Sequence, residues 1–481
     1  MHYNIVHMKN TFYLTTTLPY VNAEPQIGFA LEIIAADVIA RHQMMMGEKV
    51  VFNTGTDEHG QKIFQKAEEN NQEPQKYVDF WAEKFSDLKD TLNINYTNFV
   101  RTTDPHHKKA AQEFWKRCAE NGDIYKKMYK TSYCVGCEME KQASELENGE
   151  CPLHPGKELD VREEENYFFK FSKYQQDLLN LYEVNKEFVK PESKLKEIKA
   201  FVSNGLQDFS ISRLKEKMSW GVLVPGDEDH VMYVWFDALV NYVSTLGWPE
   251  NEANFNEYWP GIQLAGKDNL RQQAAMWQAM LISAGLTNST QILINGFISV
   301  DGQKMSKSLG NVISPTDMVN KYGTQATRFL LMQLGAFGND MDVSWDKFDT
   351  TYTAFLSNGL GNLCSRVAKM CEKNGANFNL ESEAAQTSPA YQRYMKSFDL
   401  KEALDLTLNN ISQADQYLSE NQPWKLEGSQ QQEILQTAVY HILCIALQIK
   451  PFMPETAKEI QKHFTKENIV AFHPLFPRLE K

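Results

Sequence analysis

From Thr11 onward the chain alternates short apolar runs, rich in β-branched and aromatic residues, with longer stretches at helical spacing. TFYLTTT (Thr11–Thr17) predicts a strand, because such side chains suit a pleated surface. LPYVNAEP reads as a turn. QIGFALEIIAADVIARHQMMMG then sets Ile27, Leu31, Ile34, Val38 and Arg41 at helical spacing, with Pro25 suited to the first turn and Gly47 to the end. KVVFNTGTDEHG predicts a second strand that runs into a polar loop. Strand, helix and strand at this spacing make the βαβ unit of a parallel sheet. Ligands of such sheets gather at the carboxyl ends of strands, where both loops lie.

Residues 123–229 have a different texture: turn-rich, highly charged, and holding three cysteines close together. They read as an insertion rather than a continuation of the sheet. Strand-like runs return with HVMYVWFDAL (His230–Leu239) and QILINGFISV (Gln291–Val300), and GKDNLRQQAAMWQAMLISAG between them is helical. After Ser314 only helical patterns remain, ending in LQTAVYHILCIALQIKPF.

The composition changes this picture little. Of 481 residues, 42% are hydrophobic and 23% charged, which describes an ordinary soluble chain of two to four domains. No apolar run approaches the roughly 18 residues of a membrane span, and a buried helix accounts for Val439–Ile449. The start lacks the basic-then-apolar layout of a signal peptide, so a cytoplasmic protein is expected; Met8 offers a second start, making residues 1–7 a dispensable extension. A net charge of −13 argues against non-specific nucleic-acid binding while leaving room for a locally basic site.

Seven cysteines in such a chain do not imply a disulfide framework. Cys118, Cys364, Cys371 and Cys444 sit on helical patterns and read as small buried apolar residues. Cys134-x2-Cys137-x13-Cys151-x2-His154 is different, with two knuckles that each pair ligands three positions apart. Three thiolates and an imidazole suit tetrahedral zinc and leave no coordination position open, so one structural ion is expected. A second unusual stretch is DGQKMSKSLGN (Asp301–Asn311), where glycines bracket Lys304 and Lys307. Two ammonium groups on so free a backbone suit either a solvated basic turn or a clamp for a polyanion, and the loop by itself does not choose between them.

Taken in order, these motifs resemble the class I aminoacyl-tRNA synthetases, and within them the methionyl-tRNA synthetase family. KMSKS (Lys304–Ser308) matches the second signature of the class, and PQIGFA (Pro25–Ala30) stands where the first belongs. NTGTDEHG (Asn53–Gly60), the cysteine knuckles, DFSISR (Asp208–Arg213), YVWFDA (Tyr233–Ala238), GKD (Gly266–Asp268), GLGNLCSR (Gly359–Arg366) and NQPW (Asn421–Trp424) follow the family pattern from Met8 nearly to the end. The resemblance implies an α/β fold: a Rossmann-type parallel-sheet catalytic domain in two halves, 8–122 and 230–313. The zinc-bearing insertion 123–229 interrupts it, with a stem-contact linker at 314–358 and an all-α anticodon-binding domain at 359–481. It implies methionine activation by ATP with magnesium, then transfer to tRNA(Met), initiator and elongator, by a monomer, since no further nucleic-acid-binding module follows Lys481.

Residue roles come with the resemblance. Lys304, Lys307, Gln26 and Gly28 would be catalytic, with Pro25, Phe29, Arg213, Gly266, Asp268 and Ser306 joining them around ATP. Leu18, Tyr20, Asp57, Trp235, Ala238, Tyr242, Asn269 and Gln273 would hold methionine, with Asp57 on its ammonium group. Aromatic rings give a thioether favourable contacts. Asn362, Arg366 and Trp424 would read the anticodon, the indole stacking an unpaired base. The first signature departs from the family, having Gln26 and Phe29 where two histidines are usual. Gln26 still donates a neutral hydrogen bond; Phe29 donates none. A lost charge-assisted bond costs about 1.5–3 kcal/mol, so a slower enzyme is expected. Gln273 stands where the family often has histidine, Asn269 where it has an aliphatic residue and Leu239 where proline is common; Gln273 with Asn269 would give the pocket a more polar floor. The alternative these departures leave is a weakened or inactive paralogue that binds methionine or tRNA.

Overall fold

A computed structural model describes residues 10–137, 139–141, 146–305, 310–335, 337–375, 378, 385–471 and 473–479. The chain forms two compact units: one runs to Pro25 and includes Gly47–Leu88 and Asn95–Asn295, while the other holds Gln26–Met46, Lys89–Ile94 and Gly296–Lys481. Among the described residues no helix is long and apolar enough to cross a membrane.

The first unit is built on a six-stranded parallel sheet. Its order is Asn98–Arg101, Lys49–Thr56, Thr11–Thr15, Ile262–Gly266, Gln291–Asn295 and Val189–Lys190. Leu264, Ala265, Ile292, Leu293 and Ile294 are fully buried, as expected of a parallel sheet covered on both faces. The helix Pro105–Glu120, begun by a proline whose missing N–H costs nothing there, sends Phe114 onto Trp277 with the rings stacked 5.4 Å apart. The first strand has the second on one side and Ile262–Gly266, far along the chain, on the other. That reversal makes a switch point at the carboxyl ends of the central strands.

The segment 123–229 is less separate than its composition suggests. Ile124–Cys134 and Asp160–Phe169 form a long antiparallel pair within a four-stranded sheet, but Val189–Lys190 returns to the edge of the main sheet. The flanking helices carry it back, since Leu178, Tyr182, Leu195 and Ile198 pack into the main core. A two-residue strand is too short for any periodicity to register. The run His230–Leu239 also corrects the sequence reading: the strand is Asp227–Met232 and a helix occupies Val234–Leu239. Both faces of that turn are apolar, so period 2 and period 3.6 cannot be told apart over so few residues. Between Lys267 and Ser283 the helix is irregular, passing from a 3-10 turn through a π turn at Gln272–Met276.

In the second unit the helix Ile27–Met45 is buried on every side, including Glu32 and Asp37, and not only along the row its spacing showed. Pro25 precedes the N-cap, Gln26, so it stands just outside the first turn rather than in it. Gly47, at φ +85°, lies in the left-handed region just past the C-cap Met46. The asp-gly pair Asp301–Gly302 takes positive φ at both residues and joins Ile298–Val300 to Gln303–Lys304 as a tight hairpin. Met341–Val343 pairs with that hairpin in parallel, a strand after Ser314 that the helical pattern did not predict. Helices Asn362–Lys373, Leu400–Asn421, Gly428–Ile449 and Pro454–Phe464 pack as a bundle. Cys444 on this bundle is half-buried rather than buried.

At the centre of this unit lies Arg328, fully buried. Its guanidinium donates to Asp37 at 2.6 Å and to the carbonyls of Leu92, Asn93, Pro451 and Phe452. Burial pushes its pKa down and the Asp37 carboxylate pushes it back up. Arg41 reaches the same carboxylate oxygen at 2.6 Å.

Candidate active site

The loops that follow the first two strands zip together beside the switch point. Asp57 N–H donates to Pro19 O at 3.0 Å and Val21 N–H to Asp57 O at 3.4 Å, bringing Tyr20 beside Asp57. The helix Val234–Leu239 and the irregular turn after Gly266 complete one recess. Leu18, Asp57, Trp235, Ala238, Tyr242, Asn269 and Gln273 line it, seven of the eight residues expected to hold methionine. Thr17 and Asn241, which sequence reasoning did not single out, line it as well, as does Leu239. Tyr20 stands edge-on to Trp235, with centroids 6.3 Å apart. Trp235, Tyr242, Leu18, Ala238 and Leu239 give the wall its aromatic and aliphatic part, Thr17, Asn241, Asn269 and Gln273 its neutral polar part, and the buried Asp57 is the anion among these lining residues. That pairing suits a ligand with an ammonium group and an apolar tail.

Behind Asp57 the chain is clamped by groups the sequence did not announce. Arg101 holds Glu58 through two oxygens at 2.6 and 2.9 Å, with Thr56 and Thr103 on the same carboxylate. His59 bonds one oxygen of Asp237 at 2.5 Å and His107 the other at 2.8 Å, all three buried. Burial raises the Asp237 pKa, but the charge and hydrogen bonds of the two histidines outweigh it and hold the carboxyl at about 2. This ties the loop of Asp57 to the helix of Trp235 and Ala238. The polar run DEHG was the one available signal.

The residues expected around ATP fall in both units. In the first, Gly266 and Asp268 stand where Ile262–Gly266 ends, and the buried Arg213 guanidinium lies between the rings of Tyr133 and Tyr233, at 5.0 and 4.7 Å. In the second, Gln26 occupies the N-cap position of the buried helix without a side-chain capping bond, and a Cβ at Gly28 would meet nothing within 4 Å. Ile27 N–H donates to Ile313 O at 3.2 Å, which sets the start of this helix beside the chain that follows the KMSKS loop. Lys304 is exposed on the hairpin. Asp342 secures the hairpin turn, and bonds from Lys347, Gly302 N–H and Ser299 hold its carboxyl at about 2. Ser306 and Lys307 lie outside the described residues.

The four knuckle residues converge, their ligand atoms all within 4.8 Å of one another. Cys137 Sγ lies 3.5 Å from Cys151 Sγ and 3.2 Å from His154 Nδ1, and Cys134 Sγ is 3.7 Å from that nitrogen. A tetrahedron with zinc–sulfur bonds of 2.3 Å has edges of about 3.8 Å, so the donor set fits the ion. Gly136 leaves the room, because a Cβ there would stand 2.6 Å from the imidazole ring. Burial and the neighbouring Cys151 push the Cys137 thiol up to about 12, so metal uptake would release protons. Purified protein should carry about one zinc per chain. Cys134→Ser with Cys137→Ser should abolish the metal and lower the unfolding temperature, and metal analysis with thermal melts checks both.

On the helical bundle Asn362 and Arg366 begin one helix, four residues apart. Trp424 is 49% exposed, on a short turn entered through Gln422 at positive φ. The Arg366 guanidinium lies 5.9 Å from the indole centroid and pairs with Asp415. The structure therefore brings Arg366 and Trp424 together at the surface, an indole face available beside a fixed cation.

A parallel sheet with a recess at its switch point, a closed cysteine–histidine knuckle and a helical bundle together define the architecture of a class I tRNA synthetase. Residues 12–158 and 136–368 match the family described as "tRNA synthetases class I (M)". A methionine–tRNA ligase of Thermotoga maritima is 40% identical over 477 residues, spanning 95% of this chain and 75% of that one; one from Nostoc is 40% identical over 475, spanning 94% and 89%. A Mycobacterium tuberculosis methionyl-tRNA synthetase solved with methionyl-adenylate superposes with a TM-score of 0.87 at 35% identity, covering 94% of this chain and 93% of that one. Another structure of that enzyme bound by methionyl-adenylate gives 0.90 at 32%, covering 97% and 100%. The chain belongs to the methionine–tRNA ligase family.

Proposed function

We propose that this protein activates methionine with ATP and charges tRNA(Met), initiator and elongator, with it. The recess carries the reading: a buried carboxylate beside aromatic walls, at the sheet's switch point, receives an amino acid with an apolar thioether tail. Asp57 pairs the ammonium group, leaving methionine's carboxylate to attack the α-phosphorus of ATP. The bond to pyrophosphate breaks and methionyl-adenylate forms. The hydroxyl of the tRNA's terminal ribose then attacks the acyl carbon and AMP leaves.

Pro25, Gln26, Gly28, Phe29, Arg213, Gly266, Asp268, Lys304, Ser306 and Lys307 are assigned to ATP, which would come with magnesium. Cations placed where phosphate charge develops are worth most in a water-poor site. The knuckle, closed to further ligands, is assigned to folding. Pyrophosphate exchange measured with each of the twenty amino acids tests the whole reading: methionine alone should support it at full rate. Gln26 and Phe29 favour one rival, a binding paralogue, and exchange with no amino acid would establish that rival instead.

Asn362, Arg366 and Trp424 are assigned to the anticodon. Trp424→Ala should weaken charging of tRNA with a methionine anticodon by the worth of one stacked base, about 1–3 kcal/mol. Exchange without tRNA should stay nearly unchanged. An equal fall in both assays would contradict the assignment.

A further inference from the structure

Three buried ionisable groups stand behind the recess and take no part in the chemistry assigned above. Asp237 and His107 are fully buried and His59 nearly so, and none of them lines the recess. An ionised carboxylate only accepts, so His59 donates from Nδ1 to one oxygen of Asp237 and His107 from Nε2 to the other. Each ring is held at a second point. His107 Nδ1 lies 2.9 Å from Ser244 Oγ, and His59 meets the Trp220 ring edge-on, with centroids 5.6 Å apart. The Trp220 indole N–H donates in turn to Glu58 O at 2.6 Å. Neither imidazole turns over without giving up its bond to Asp237.

This brace joins the two segments that share the lining. His59 comes two residues after Asp57, and Asp237 stands between Trp235 and Ala238 on their helix. The helix is fixed further by Asn241, whose Nδ2 donates to Ala238 O at 2.6 Å and whose Oδ1 accepts from Asn53 Nδ2 at 3.1 Å. A buried charge is a costly way to join two segments, because apolar side chains of similar volume often hold them as firmly without the desolvation. What the carboxylate adds is a fixed distance, since two short charge-assisted bonds to rigid rings, at 2.5 and 2.8 Å, leave little play.

We propose that Asp237, His59 and His107 are positioning residues that set the length of amino acid the recess accepts. Their brace keeps the Asp57 carboxylate, which takes the ammonium group, at one separation from Trp235 and Ala238, which meet the side chain. A recess of fixed length favours methionine over ethionine, its homologue with one more methylene beyond the sulfur. The inference rests on the methionine reading above and adds the residues that gauge the side chain.

The test measures binding of methionine and ethionine by calorimetry and turnover by pyrophosphate exchange. In Asp237→Asn one oxygen is left to accept, and the amide hydrogens confront the N–H of the other imidazole. One arm of the brace is lost at nearly unchanged volume. The preference for methionine over ethionine should fall about tenfold, the worth of one hydrogen bond, while ethionine binding stays within about threefold. The KM for ATP should not move. His59→Asn sets an amide nitrogen where Nδ1 stood and should keep the wild-type preference. His59→Leu fills the space but donates nothing, and should lower the preference as Asp237→Asn does. Equal losses for both amino acids, or an unmoved preference in folded His59→Leu, would leave the brace with a folding role alone and overturn the proposal. A wild type that binds both equally well would overturn it too. If the wild type binds methionine but exchanges no pyrophosphate, the activity fails while the binding ratio still decides the brace. If it binds neither amino acid, both readings fall.

Discussion

Arg328→Met should lower the free energy of unfolding by about 3–5 kcal/mol, the usual penalty for removing one partner of a buried ion pair. The Asp37 carboxylate would lose one of its two guanidinium partners, and the carbonyls of Leu92, Asn93, Pro451 and Phe452 would lose their shared donor. Each buried polar group left unsatisfied adds about 1–3 kcal/mol in its own right, so relaxation of the bundle has much to repair. Urea unfolding followed by far-UV dichroism measures the change. The exposed pair Lys109–Glu250, with side chains 65% and 63% accessible, is the control. Lys109→Ala should alter stability by less than about 1 kcal/mol, because exposed ion pairs contribute little. A change of that small size at Arg328 would show that the buried guanidinium is not the centre of its unit.

Lys307→Ala should lower the turnover number of adenylate formation by about 10²–10³, or about 2.7–4 kcal/mol, the range found when one preorganised transition-state donor is removed. The KM for methionine should change little, the pattern of a contact made mainly in the transition state. The effect should be large here because Gln26 and Phe29 leave the first signature without a titratable cation. Gln26→His should leave activation unchanged or raise it. Single-turnover measurements with saturating ATP separate the chemical step from binding. A neutral Lys307→Ala would remove the clamp reading and leave the family untouched.

Much of the site was legible because its residues lie in local motifs. DEHG, YVWFDA and GKD each carry their recess residues within a few positions, and the loops after strands are where parallel sheets hold ligands. The cysteine knuckles were equally plain, since paired spacing is itself the geometric demand of the ion. What escaped was non-local. Val189–Lys190 becomes a strand only because Gln291–Asn295 offers it an edge, and Met341–Val343 only because the Asp301–Gly302 hairpin does. The helix Val234–Leu239 was hidden by apolar residues on both of its faces. The clamp of His59 and His107 on Asp237 leaves no spacing signature, because its members come from distant segments and meet only after folding. Propensity and periodicity describe a residue's neighbours in sequence, whereas burial of a polar group is decided by its neighbours in space.

Arg328 also carries an evolutionary consequence. Its one side chain joins Asp37 on the helix of the first signature, the turn at Leu92–Asn93 and the corner at Pro451–Phe452 behind the last helices of the bundle. Three stretches that a genome could vary separately are thereby made to drift together. Loss of the charge at either Asp37 or Arg328 selects for its loss at the other, and among descendants of this chain the two positions should change as a pair or not at all.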